Sequence, residues 1–174
     1  MSNPTLVKPS EEYIGAIRAY RQELLDYNSP FDGCGGLMDF EDVAAWVTQC
    51  RLFETEETKP NPDWVIAEQF MLVRDGRVLG MLNFRLELND FLAECGGHIG
   101  YSIRPTERRK GYAKTMLALA LKECPRGLGV SRVLLTCKAD NAGSYKTIEA
   151  CGGQFERMTQ MDGQDLKRYW IEIN

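Results

Sequence analysis

The chain of 174 residues has one histidine, His98. Its six cysteines, at positions 34, 50, 95, 124, 137 and 151, include no C-x-x-C pair. With so few nitrogen and sulfur ligands at metal-binding spacing, no zinc site and no other metal is expected. Cysteine frameworks of this size staple small secreted domains. A chain of this length folds without them, and several of these cysteines sit in apolar runs, which predicts reduced, buried thiols. Cationic residues are also scarce: 21 Lys and Arg stand against 25 Asp and Glu, a net charge of −4. That excludes a general basic face, and with it nucleic acid as the main partner. No apolar run approaches the roughly 20 residues of a membrane helix. The opening "MSNPTLVKPSEEY" lacks the apolar segment of a signal peptide. A cytoplasmic protein is expected. Linkers, repeats and low-complexity tracts are missing too, so residues 1–174 read as one domain.

The elements present alternate between two periods. "TLVKPS" reads as a short strand ended by Pro9. Ser10 with Glu11 and Glu12 opens a helix, Ser10 in the capping position, and Tyr13, Ile14, Ile17, Tyr20, Leu24 and Leu25 form its apolar stripe. "NSPFDGCGG" is a loop. A second helix is predicted from about Asp39 to Leu52, with Phe40, Val43, Trp46, Val47 and Cys50 inward. Two strands surround Asp75-Gly76, a hairpin signal, and Leu82, Phe84, Leu86 and Leu88 alternate with polar residues in the second. "NDFLAECGG" connects to a strand "HIGYSIRP", with Ile99, Tyr101 and Ile103 on one face and His98, Gly100 and Ser102 on the other. A helix follows from about Lys110 to Glu123, ended by Pro125. "RVLLTC" is a strand buried on both faces. Asn141 caps a short helix that ends at Gly152-Gly153, and two strands flank Asp162-Gly163. The order β-α-α-β-β-β-α-β-α-β-β makes a mixed α/β (α+β) domain.

Most of the chemistry is concentrated in "RPTERRKGYA". Arg104, Arg108, Arg109 and Lys110 crowd the turn before a helix, with Gly111 beside them. Cations at a helix N-terminus oppose the dipole, so the default there would be acidic. The first-turn N–H groups have no intrahelical acceptor, and together with these cations they suit a bound anion, phosphate above all. No GK[ST] follows and no G-x-G-x-x-G is present, so neither a nucleotide P-loop nor a dinucleotide fingerprint is at hand.

Arg108-x-x-Gly111-x-Ala113, after a strand ending Ile103-Arg104-Pro105, resembles the R/Q-x-x-G-x-G/A acetyl-CoA pyrophosphate motif of the GNAT superfamily of N-acetyltransferases. "VLLTCKADNAGSYKTIEACGG" is similar to the family's next strand and Asn-initiated helix, and the element order matches along nearly the whole chain. "GGHIGYSIRPTERRKGYA" looks most like a bacterial branch of predicted acetyltransferases. The resemblance implies a mixed, mostly antiparallel sheet flanked by helices and splayed after the fourth strand. It implies that the pantetheine arm of acetyl-CoA lies in the split, pairing with backbone near Ser102, Ile103 and Arg104. The pyrophosphate would rest on the amides of Arg109, Lys110, Gly111, Tyr112 and Ala113, with Arg108 beside it, and Asn141 and Ser144 would approach from the other side. The implied reaction is direct attack by a primary amine on acetyl-CoA in a ternary complex. A backbone N–H near Ile103 would stabilise the oxyanion.

The chain departs from the family at the acid. The tyrosine that commonly protonates the leaving thiolate falls at Ile148, which leaves Tyr145 and Ser144 as candidates. The loss is tolerable, since a thiol of pKa near ~8.5 leaves readily as its anion. Where relatives carry a glutamate base, this chain has His98; Glu94 and Asp90 are rival bases or plain surface carboxylates. Glu68 and Glu87 read as surface residues. The expected acceptor walls are Phe31 to Leu37, Phe40, Trp46 and "LNDFLAE", with Asp32, Asp39, Asp90 and Glu94 either attracting a cationic amine or serving as ordinary surface charge. The acceptor is a small-molecule or peptide amine, and a homodimer through sheet edges is a family habit. Two alternatives stand beside acetyl transfer: a CoA-binding regulatory module without catalysis, and transfer of a longer acyl group.

Overall fold

The computed structural model describes residues 1–123 and 129–173. Its elements follow the expected order: β1 (Thr5–Val7), α1 (Ile14–Asp26), α2 (Val43–Leu52), β2 (Ala67–Arg74), β3 (Arg77–Arg85), β4 (Ile99–Ile103), α3 (Tyr112–Glu123), β5 (Arg132–Lys138), α4 (Ala142–Ala150), β6 (Gln154–Met161) and β7 (Gln164–Glu172). The strands form two antiparallel sheets, β1-β2-β3-β4 and β5-β7-β6. Asp75 and Gly76, at φ 49° and 74°, close the β2–β3 hairpin as their residue types dictate. No described helix is long and apolar enough to cross a membrane.

Two cores sit on opposite faces of the first sheet. Ile17, Tyr20 and Leu24 of α1 pack with Trp46 and Val47 of α2 on Met71, Val78 and Met81. On the other face Met116, Leu117 and Ala120 of α3 and Ile148 of α4 pack on Leu82, Phe84, Ile99, Val133, Leu135 and Tyr169. Both faces of β3 are therefore covered near Val78 to Leu82, where the sequence suggested one wet face. Burial of Val133, Leu134 and Leu135 in β5 matches the both-faced apolar run.

Several boundaries differ from the sequence reading. Ser10 makes no side-chain cap; a 3-10 turn at Glu11–Tyr13 leads into α1 instead. Leu25 is exposed and lies off the buried stripe. The second helix starts at Val43, because Asp42 accepts from the Ala44 N–H at 3.0 Å and caps it there. Leu37–Asp39 is a separate turn. β3 ends at Arg85, short of Leu86 and Leu88. The expected stop at Pro125 lies outside the described residues. Cys34, Cys50 and Cys137 are buried free thiols; Cys95 and Cys151 are free and half-buried.

Two close approaches position the site. Loop residue Gly33, at φ 69°, lies so near β4 that an added Cβ would stand 2.3 Å from the Gly100 carbonyl oxygen and 2.5 Å from Tyr101 Cα. Gly97, before β4, lies so near β5 that a Cβ would be 2.5 Å from the Leu134 oxygen.

Candidate active site

β4 and β5 touch at one end and do not pair beyond it. The His98 N–H donates to Leu134 O at 2.7 Å, and the Leu134 N–H donates to His98 Nδ1 at 2.8 Å. Past this clasp the strands belong to different sheets. Trans peptides alternate their N–H and C=O directions along a strand. His98 O accepts from Arg85 N, and Arg104 N donates to Leu79 O, both toward β3. The backbone groups of Ile99, Tyr101 and Ile103 therefore point to the opposite edge, into the split. Of these, the Ile103 carbonyl accepts from Arg108 Nε at 3.0 Å.

The split leads toward two helix N-termini, those of α3 after β4 and α4 after β5. Arg109 and Gly111 both have positive φ, 65° and 84°. Among the described residues, none of the amides from Arg109 to Lys114 finds an acceptor; the next bond is Thr115 N–H to Gly111 O at 3.1 Å. Six consecutive donors at one helix start can together bind an anion. The cations flanking it are arranged selectively. Lys110 pairs with Glu107 at 3.0 Å, and Arg108 bonds Ser29 Oγ at 2.5 Å, while Arg109 has no carboxylate within 4 Å among the described residues. Across the split, Asn141 Oδ1 accepts from Ser144 N–H at 3.1 Å and caps α4. Tyr101, reaching over from β4, places its hydroxyl 3.0 Å from Ser144 Oγ. Burial pushes the Tyr101 hydroxyl up to about 12, so it remains a proton donor at neutral pH.

A family model described as an acetyltransferase (GNAT) domain matches residues 5–154. The chain belongs to the GNAT acetyltransferases. A GNAT ribosomal-protein alanine acetyltransferase from Vibrio fischeri matches the fold with a TM-score of 0.76 at 14% identity, covering 100% of this chain and 95% of that one. RimL, a ribosomal-protein alpha-N-acetyltransferase in complex with coenzyme A, matches with a TM-score of 0.71 at 14% identity over 99% and 96% of the two chains. The microcin self-immunity acetyltransferase MccE, in complex with acetyl-CoA and AMP, gives 0.70 at 17% identity over 99% and 94%. At such identities these are likenesses of fold. No curated protein matches the chain in sequence.

Within this GNAT fold, several residues sit where the sequence reading did not put them. The backbone groups of Ser102 and Arg104, expected along the pantetheine arm, turn toward β3, where the Arg104 N–H donates to Leu79 O at 2.8 Å, and their side chains face α1. Ser102 Oγ lies 2.9 Å from Tyr20 OH, and Arg104, nearly buried, pairs with Glu23 at 2.5 Å. Burial alone would raise the Glu23 carboxyl, but bonds from Thr106 and Arg104 outweigh it and hold it below its ordinary value. Arg104 is a structural partner and not a phosphate ligand, because its guanidinium is committed to Glu23 and to the Val78 carbonyl at 3.2 Å.

Glu94 is a partner too. It takes a bidentate pair from Arg157 at 3.0 and 2.8 Å and a bond from Thr159. Those bonds hold its carboxyl down to about 2, which makes it a poor base. With Arg168, which donates to Glu94 O at 2.9 Å, it stitches the 92–96 turn to the second sheet. Asp90 is exposed on the same connector. Tyr145 is half-buried under the Lys167 ammonium, 3.8 Å from the ring centre.

His98 is likewise engaged. It is 6% exposed, and the Leu134 N–H occupies its Nδ1 lone pair, which puts the proton on Nε2. Burial, then the nearby Arg85 charge, push its pKa down to about 4. Accepting a proton would break the clasp, so the expected role as base gives way to a positional one. Because the folded value lies below the ordinary 6.5, the neutral form is favoured by folding. That stability is complete above pH 6.5 and is lost as pH falls toward about 4. The melting temperature should drop over this window, and His98→Gln should flatten the drop; an identical pH dependence in the variant would refute the assignment.

The acceptor walls also change. Trp46 is fully buried, its Nε1–H shared between Cys34 O at 3.1 Å and Gly35 O at 3.0 Å, and Leu37 is core. Phe40 packs against that core. A cavity of about 290 Å³ is lined by Gly35, Asn89, Phe91 and Leu92 from the expected segments, and by Phe53, Trp64, Gln69, Asn83 and Arg85 besides. Asp32, Asp39, Asp90 and Glu94 do not line it. Trp64, Arg85, Tyr101 and Gly97 were not singled out as site residues in the sequence. Only Gly97, within the glycine pair of "CGGHIG", gave a local sign.

Proposed function

We propose that this GNAT protein transfers an acetyl group from acetyl-CoA to a primary amine by direct attack in a ternary complex. The observation that carries the reading is the run of unpartnered amides from Arg109 to Lys114 at the mouth of the split. The donor set fits a pyrophosphate: converging N–H groups, a helix N-terminus and the Arg109 side chain. The edge groups of Ile99 and Tyr101, with the Ile103 N–H, would hold the amides of the pantetheine arm, and Asn141 and Ser144 would flank it from α4. When bound, acetyl-CoA supplies the acyl group already activated as a thioester.

The chain's own residues do the rest. Tyr101 and Ser144 keep a protonated hydroxyl pair across the split, suited to hydrogen-bond a departing thiolate. Neither replaces a strong acid, and a thiol of pKa near ~8.5 does not require one. With His98 and Glu94 engaged elsewhere, the amine enters as its free base. The rate should therefore rise with pH along the acceptor's own titration and show no limb near 6.5.

Calorimetry should detect acetyl-CoA binding, and thiol release should depend on added amine. Tyr101→Phe should lower kcat by about tenfold, below the usual span for general acids because the leaving group is good, with little change in KM. A rate unaltered by Tyr101→Phe removes the pair from the reaction. The engagement of both base candidates favours one second reading, a CoA-binding regulatory module. Binding without amine-dependent thiol release over a broad panel would select it.

A further inference from the structure

The cavity beside β4 carries an unusual charge. Arg85, on β3, is half-buried, and its Nη1 donates to the carbonyls of Gly96 at 3.1 Å and Gly97 at 3.2 Å. Its other donors have no partner among the described residues, and no described carboxylate lies within 4 Å of it. Burial pushes the guanidinium down from its ordinary value, against the pull of Asp32, an exposed loop residue. A cation held out of water without a counter-anion is costly unless a ligand supplies one. Its Nη2 lies 3.4 Å from where a Gly100 Cβ would stand, so this fork borders the strand whose far edge faces the split.

Besides Arg85, Gln69, Asn83 and Asn89 are the polar neutral members of the wall, and the remainder is apolar. Phe53 and Trp64 stack at 5.4 Å between ring centres with 12° between planes. Trp64 and Phe91 remain 48% and 58% exposed, large apolar surface left to solvent at the rim. No Asp or Glu lines the cavity. Small-molecule sites run from roughly 300 to 1,000 Å³; at about 290 Å³ this one fits a ligand the size of a single amino acid.

We propose that this cavity binds the acceptor as a free α-amino acid with an aromatic or large apolar side chain, its carboxylate on Arg85 and its side chain against Trp64, Phe53 and Phe91. The assignment rests on the acetyl-transfer reading for the fate of the amine, but the cavity's preference for a carboxylate can be measured without turnover. A peptide N-terminus, the other acceptor class, would present a neutral amide where Arg85 awaits an anion.

The test is calorimetric titration of N-acetyl-L-phenylalanine and of N-acetyl-L-phenylalaninamide, which differ only in that anion. The acid should bind the wild-type protein about tenfold or more tighter than the amide, as a charge-assisted bidentate pair implies. Arg85→Met should abolish the difference by weakening the acid alone. Should Arg85→Met fail to fold, the wild-type comparison still decides, and Trp64→Ala at the exposed rim should weaken acid and amide by one common factor. Equal affinities in the wild type, no binding of either, or equal loss of both in Arg85→Met overturns the proposal. A separate acetyl-CoA titration keeps the readings apart: its failure beside intact acid preference sinks acetyl transfer and leaves the cavity's specificity standing.

Discussion

Gly111→Val should weaken acetyl-CoA binding by about a hundredfold or more, a loss of roughly 2.7 kcal/mol. Gly111 sits at φ 84° in the middle of the amide run, and a Cβ there meets no atom within 4 Å. The folded chain therefore accepts the side chain without collision. The substitution strains the left-handed backbone by about 1–2 kcal/mol and stands a branched side chain within the run of six free amides. Charge-assisted bonds to phosphate are each worth about 1.5–3 kcal/mol, so displacing one or two suffices for the predicted loss. The same strain should lower the melting temperature by only a few degrees, at about 2–4 °C per kcal/mol for a chain of this size. Gly76→Val supplies the control: φ is 74°, nothing lies within 4 Å, and the site is the β2–β3 hairpin. The two variants should lose similar stability, and only the first should lose acetyl-CoA. Equal affinities in both would mean that the turn does not hold the cofactor.

Gly33→Ala should destabilise the protein by about 3 kcal/mol or more, overpacking and backbone strain adding together. The new Cβ would be 2.3 Å from Gly100 O and 2.5 Å from both Gly100 C and Tyr101 Cα. All three are main-chain atoms of a paired strand, and none can rotate aside as a side-chain tip would. The loop must lift from β4, taking with it Cys34, whose thiol lies 3.3 Å from Ser102 Oγ, and the Gly35 wall of the cavity. A fall in melting temperature near 10 °C is expected. A variant that melts with the wild type would show that the loop does not seat on the strand.

The basic turn with its free amides was legible because its signal is local. Cations and a glycine before an apolar helix pattern are neighbours in the chain, and the amides they surround belong to the same few residues. The hairpin at Asp75-Gly76 and the Asn141 cap were legible for the same reason. The acid–base residues were not. What neutralises His98 as a base is Leu134, 36 residues away, and what holds Glu94 is Arg157, 63 away. Strand alternation correctly put Ser102 and Tyr101 on opposite faces. It could not tell that the Ser102 face meets α1, since that depends on how the helix crosses the sheet. Trp46 shows the same limit: it looked capable of lining a pocket, and only packing sent it into the core.

The clasp at His98 and Leu134 makes the two sheets a pair of tongs. A complete ladder would lock them together along their whole length. Among the described residues the two sheets share a backbone hydrogen bond only at this pair, and beyond it the strands run unpaired. The end of the split opposite Ile103 is closed by an imidazole and a glycine too tightly fitted to admit a methyl group. The histidine is a positional residue, closing one end of the cleft through its backbone and its ring.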